Sequence, residues 1–107
     1  MARRPSVFPR LSPKEALILD LLRSGEMYGL ELVTSSGGAL KRGTVYVTLG
    51  RMEEKGLIVS RIGDEAPAAG GLPRRVYKPT AYGKQLLSAS VAMRRRLVTV
   101  LVPRTGR

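Results

Sequence analysis

Apolar residues recur along this chain in patterns that predict four helices and two short strands. Ser12-Pro13-Lys14-Glu15 opens the first helix, with Ser12 as the cap, Pro13 at the first helical position and Glu15 completing a capping box. The run Ala16-Leu17-Ile18-Leu19-Asp20-Leu21-Leu22 is too apolar for one buried stripe, so this helix is expected to be covered on more than one side until Gly25 stops it. Tyr28 to Val33 reads as a short second helix with Leu30 and Val33 inward, ended by Ser35-Ser36-Gly37-Gly38. The third helix runs from Thr44 to Lys55. Its Val45, Leu49 and Met52 fall at i, i+4 and i+7, one buried stripe, and Gly56 caps it before Leu57 packs down. Its outward side then holds Thr44, Val47, Thr48, Arg51 and Lys55.

The β-branched content of Leu57 to Ile62 predicts a strand, and Arg74 to Lys78 a second. Between them, Gly63 to Pro73 is rich in Gly, Ala and Pro, the loose tip of a hairpin. Thr80 caps a last helix, whose stripe Leu86, Ser90, Met93, Leu97 and Leu101 keeps helical spacing. The order helix, helix, helix, strand, strand, helix predicts a mainly helical α+β fold. That fold is a winged helix-turn-helix of three helices and a two-stranded wing, followed by a C-terminal dimerisation helix. Residues 1–11 then form a basic arm, 12–80 the winged domain, and 81–107 the last helix and tail.

Composition narrows the chemistry. The 107 residues contain no His and no Cys, which excludes His or Cys metal sites, thiol nucleophiles and disulfides; no metal or cofactor is expected. No apolar run approaches the ~18 residues of a membrane span, and the first ten residues lack the apolar core of a secretory signal. A cytoplasmic protein with no membrane partner is the expectation. No Gly-rich phosphate loop and no nucleophile–base pairing is present, so no catalysis is expected. The net charge is +11, from 19 Lys and Arg against 8 Asp and Glu. Every acid lies between Glu15 and Glu65, while the stretch 66–107 has nine bases and no acid. A near-neutral body with basic ends fits a polyanionic partner. Four Tyr, one Phe and no Trp make a poor stacking surface for RNA and favour double-stranded DNA. The same scarcity gives little material for an aromatic effector pocket, and no effector is assigned.

Three segments in order resemble the PadR family of transcriptional regulators. Leu22 to Leu32 is similar to the leucine pair, short turn and Gly-Tyr-Glu-Leu-like start of that family's second helix. Gly43-Thr44-Val45-Tyr46 and Leu49-Gly50-Arg51-Met52-Glu53-Glu54-Lys55-Gly56-Leu57-Ile58 look like the start and finish of its recognition helix. Pro73 to Gly83 resembles its junction between wing and last helix. The resemblance covers about Leu11 to Leu87. Val47 stands where the family usually has proline, Gly50 replaces a larger residue, and Tyr28-Gly29 reverses the usual order. It implies a homodimeric DNA-binding regulator, usually a repressor, joined through its first and last helices. Leu17, Leu21, Leu86, Val91, Met93, Leu97 and Leu101 are the expected dimer contacts.

The expected DNA contacts are Lys41 and Arg42 before the third helix, then Thr44, Tyr46, Val47, Thr48 and Arg51 on it, and Arg74 and Arg75 on the wing. Hydroxyls at a helix start suit phosphate. Arg51 either reaches phosphate or pairs with Glu54. Of Arg74 and Arg75, adjacent on a strand, one faces DNA and the other braces the loop or meets Asp64 or Glu65. Tyr28, Tyr77 and Tyr82 are expected in packing, and Arg94, Arg95 and Arg96 either in solvent or near DNA. Gly50 inside the helix costs ~1 kcal/mol relative to Ala; close approach of the duplex or of another helix accounts for it, or neutral drift does. The competing class is a basic protein that binds DNA or RNA without sequence choice.

Overall fold

The computed structural model describes residues 10–63 and 74–101, with side chains as far as Ala92. Helix α1 spans Pro13–Leu21 and starts as its sequence dictates. The Glu15 backbone N–H donates to Ser12 Oγ at 3.1 Å, and the Ser12 N–H donates to Glu15 Oε1 at 2.9 Å. The predicted last turn is tighter than α-helical: Leu22–Ser24 form a 3₁₀ turn that Gly25 ends at φ +140°, a backbone open to glycine. Ile18, Leu19 and Leu22 are fully buried, and Leu17 and Leu21 are half-buried against the same core.

A third strand, absent from the sequence pattern, precedes the second helix. Met27–Tyr28 form β1, so Tyr28 lies on a strand and not in the helix to which its spacing assigns it. Two residues are too few to show a period; only the long-range partner defines them. Helix α2 is Gly29–Ser35, and its fully buried residue is Leu32, while Leu30 and Val33 are half-buried. Leu40, in the connection to the next helix, also joins the core. Helix α3, Val45–Glu54, buries Val45, Leu49 and Met52, the stripe its spacing predicts.

Strands β2, Ile58–Ile62, and β3, Arg75–Pro79, pair antiparallel, and β1 adds to the other edge of β3. Ser60 stands opposite Tyr77 and Ile62 opposite Arg75; across β3, Tyr28 stands opposite Val76. Each strand begins one residue later than its composition suggests. Tyr77 belongs to the core, Tyr28 is half-buried, and Tyr82 is exposed, contrary to its expected place in packing. Helix α4 runs from Ala81 to Leu101.

The C-terminal end of α3 is where the elements meet. Gly56, at φ +78°, donates its N–H to the Glu53 carbonyl at 3.0 Å, and Leu57 donates to Met52 at 2.9 Å. This Schellman closure turns the chain into β2. The Thr80 hydroxyl caps α4 by accepting the Gly83 N–H at 2.9 Å, and it donates to the Gly56 carbonyl at 2.7 Å. The Thr80 N–H donates to the Leu57 carbonyl at 3.0 Å. From the other side, Lys55 Nζ lies 2.6 Å from Glu15 Oε2. Caps of α1, α3 and α4 thus share one joint.

Glu15 is buried, and burial alone would raise its pKa. The hydrogen bond and charge of Lys55, with the two Ser12 bonds, outweigh this and hold the carboxyl below its ordinary value. A depressed folded-state pKa adds stability that is present above the unfolded value and is lost as pH falls through the folded one. Glu15→Gln is expected to lower stability at neutral pH by about 1.5–3 kcal/mol, the scale of a hydrogen bond to a charged group. Urea midpoints should show that difference shrinking as the pH drops below the usual carboxylate range. A difference that stays constant with pH would show that the carboxylate charge adds nothing.

Candidate nucleic-acid interface

With Val45, Leu49 and Met52 turned inward, α3 must present the opposite side to solvent. Tyr46 is 50% exposed and Val47 56%, and Gly50 and Arg51 are exposed beside them. Lys41, Arg42 and Thr44 are exposed in the turn that leads into the helix. Thr44 occupies the cap position without a side-chain capping bond, so its hydroxyl is not committed to the helix. The exposed acids Glu53 and Glu54 lie at the far end, leaving the N-terminal half of the helix positive.

Tyr46 does two things at once. Its ring lies over Gly29 at the start of α2, so close that a Cβ there would come within 2.5 Å of Tyr46 Cε1 and 2.8 Å of its hydroxyl. The tyrosine therefore links the start of α3 to the start of α2 while keeping half its surface in solvent. An open groove of about 330 Å³ runs past it, lined also by Tyr28, Leu30, Arg74, Arg75 and Tyr77. Burial, together with the nearby charge of Glu53 and Tyr46, raises the Tyr77 pKa, Arg75 opposing; its phenol stays neutral.

Arg75 opens β3 and Arg74 precedes it, and both line this groove but with different partners. Arg74 lies with its guanidinium carbon 4.4 Å from the centre of the Tyr28 ring. That ring in turn abuts Gly63, where a Cβ would stand 2.6 Å from its hydroxyl oxygen. Arg74 thus braces the base of the wing. Arg75 lies on the side of α3: its Nη1 donates to Ser60 Oγ at 3.2 Å, and Ser60 donates to Glu53 Oε2 at 2.8 Å. Arg61, on the other arm, is held by Glu26 at 2.6 Å. Asp64 and Glu65, with the rest of the wing tip, lie outside the described residues.

The opposite flank of α3 faces the start of α1. Thr48, expected outward beside Val47, is half-buried here, and its hydroxyl makes only a long 3.4 Å bond to the Thr44 carbonyl. One residue is about 100° of helix, enough to carry position 48 from the outward face to this flank. With Arg51 and Lys55 it lines an open groove of about 640 Å³ that Arg10, Ser12 and Lys14 complete. Among the described residues Arg51 makes no ion pair, with Glu54 or otherwise. Lys14 is the candidate that spacing missed, its only signal being its position beside the α1 cap, whereas Arg10 was expected only as part of the basic arm.

Of the expected dimer residues, Leu17, Leu21 and Leu86 pack in part against the core, and Val91 is 41% exposed. The side chains of Met93, Leu97 and Leu101, and of Arg94, Arg95 and Arg96, lie outside the described residues, as does the arm before Arg10. Beside Val91 an open groove of about 570 Å³ is lined by Leu19, Arg23, Pro79, Lys84 and Leu87, between α1 and α4. No described helix is long and apolar enough to cross a membrane, and no cluster of metal-ligating side chains occurs among the described residues.

Solved structures share this fold. A PadR family transcription regulator from Clostridium difficile is similar at 33% identity and TM-score 0.69, over 81% of this chain and 92% of that one. A PadR-like transcriptional regulator from Bacillus cereus is similar at 27% identity and TM-score 0.62, over 86% and 93%. Bacillus subtilis PadR, solved in complex with operator DNA, shares the fold at 23% identity and TM-score 0.64, over 89% of this chain and 50% of that one. No match was found among curated proteins. The model of the transcriptional regulator PadR-like family matches residues 18–89, most of the winged domain and the start of α4. The chain belongs to the PadR-like family of transcriptional regulators.

Proposed function

We propose that the protein is a sequence-specific double-stranded DNA-binding regulator that acts as a homodimer, represses transcription and catalyses no reaction. The observation that carries this is the outward face of α3, exposed Tyr46, Val47 and Gly50 between two cationic flanks. On one flank stand Arg74 and Arg75, on the other Arg10, Lys14 and Arg51. A major groove is about 12 Å wide and walled by phosphates on both sides, the charge pattern complementary to this one. The operator complex of the related B. subtilis fold supports the same partner. Val47 suits an apolar contact with a thymine methyl, while Thr44, Lys41 and Arg42 suit phosphate. Thr48, on the flank, takes a backbone role. Non-specific binding has the same charge in its favour but no use for an apolar Val47 at the centre of the face.

The experiment is a salt titration of binding to a duplex of selected sequence and to a random one. Arg75→Ala is expected to weaken both by a similar factor and to lower the salt slope by about 1 for each phosphate that a subunit no longer neutralises. Arg74→Ala should change the slope less, because its guanidinium is engaged with Tyr28. Slopes unchanged in Arg75→Ala, Lys41→Ala and Arg51→Ala would refute the DNA interface.

The homodimer is supported by the groove beside Val91, by the 21-residue length of α4, and by its apolar stripe in sequence. Sedimentation should give a dimer at micromolar concentration, and Val91→Asp and Leu97→Asp should each dissociate it and weaken operator binding. A wild type that sediments as a monomer at that concentration contradicts the dimer.

A further inference from the structure

Three glycines lie inside the described helices, and two of them have a reason within the chain. A Cβ at Gly29 would meet the Tyr46 ring, and one at Gly83 would overlap the Leu57 carbonyl oxygen and come 3.1 Å from Leu19 Cδ2. Gly50 has no such neighbour. Among the described residues nothing beyond its own stretch of helix lies within 4 Å of a Cβ built there, and its φ is not positive. Alanine would fit, and glycine in a helix interior is less stable than alanine. Folding alone gives this position no cause to lack a side chain.

Its place on the helix supplies one. At about 100° per residue, position 50 projects between 46 and 47, one turn farther along the outward face. It therefore shares the face of the exposed Tyr46 and Val47 and lies beside Arg51. A helix with its side chains is about 10–12 Å across, nearly the full width of the major groove, so the missing Cβ changes how deep the helix can sit. We propose that Gly50 is the point of closest approach between α3 and the bases of double-stranded DNA. Its bare backbone sets the depth of the helix and so the base pairs that Val47 reaches. The inference rests on the DNA-binding reading given above and adds a specificity-determining residue to it.

The test compares wild type, Gly50→Ala and Gly50→Leu, with Gly83→Ala as the control glycine. Gly50→Ala is expected to raise the thermal midpoint by about 4–8 °C. It should weaken binding to the selected duplex about tenfold, the scale of one mismatched base pair, and leave binding to a random duplex within about twofold. Gly50→Leu should weaken specific binding further, with sedimentation unchanged in both. Gly83→Ala should lower the thermal midpoint, because its Cβ has no room. A Gly50→Ala protein that binds the selected duplex as tightly as a selective wild type overturns this inference alone. A lowered midpoint, or a loss of affinity that accompanies a changed oligomeric state, also overturns it. A wild type with no sequence preference overturns the DNA-reading role and this inference together.

Discussion

The joint at the C-terminal end of α3 is the constraint on which the rest depends. Lys55 is tied to Glu15 of α1, and the Gly56 and Leu57 carbonyls to Thr80, which caps α4. A helix held at one end by polar bonds and along one side by Val45, Leu49 and Met52 has little freedom to roll or slide. Its N-terminal half is then presented in a fixed orientation, which is the condition for reading a groove by side-chain contact. The same joint turns the chain into β2 and brings it back from β3, so the wing is aimed by the bonds that aim the helix. Loss of Glu15 or Thr80 would therefore disturb how the helix is presented.

Charge is distributed to match that geometry. Basic residues border both flanks of α3, whereas several of the acids are used in structural pairs: Glu15 with Lys55, Glu26 with Arg61, Asp20 with Arg23. Glu53 and Glu31 accept hydrogen bonds from Ser60 and the Tyr28 backbone. Internal pairing of acids leaves the surplus of positive charge to act outward. The exposed pairs, Asp20 with Arg23 and Glu26 with Arg61, add little stability, but they remove negative potential from the neighbourhood of an approaching duplex.

Helix caps and the α3 stripe were legible in the sequence because their signals are local. Ser12 with Glu15, Gly56 with Leu57, and the spacing of Val45, Leu49 and Met52 each involve residues within a few positions of one another. What sequence missed is non-local. Strand β1 exists only through pairing with β3, some fifty residues on, and Leu40, in a connection with no period of its own, is buried only as part of the assembled core. The candidate site divides the same way. Val47, Arg51 and the basic wing follow from period and charge, whereas the engagement of Arg74 with Tyr28 and the approach of Arg10 and Lys14 to Arg51 require the fold. Thr48 shows the limit of a face assigned from spacing alone: it lies near the boundary of the outward arc, on the flank that lines the groove toward the α1 start. The family match over residues 18–89 agrees with the resemblance carried by residues 22–32, 43–58 and 73–83.

If a rigidly oriented α3 reads base pairs from each half of a two-fold dimer, its preferred sites must carry that symmetry. Selection from a randomised duplex library with the full-length protein measures this directly. The account predicts a two-fold consensus whose half-site centres are about one helical turn apart, roughly 34–36 Å, with the strongest preferences at the few positions reached from Val47 and Tyr46. A library that emerges with no enriched sequence, or with an enriched site lacking two-fold symmetry, would contradict it.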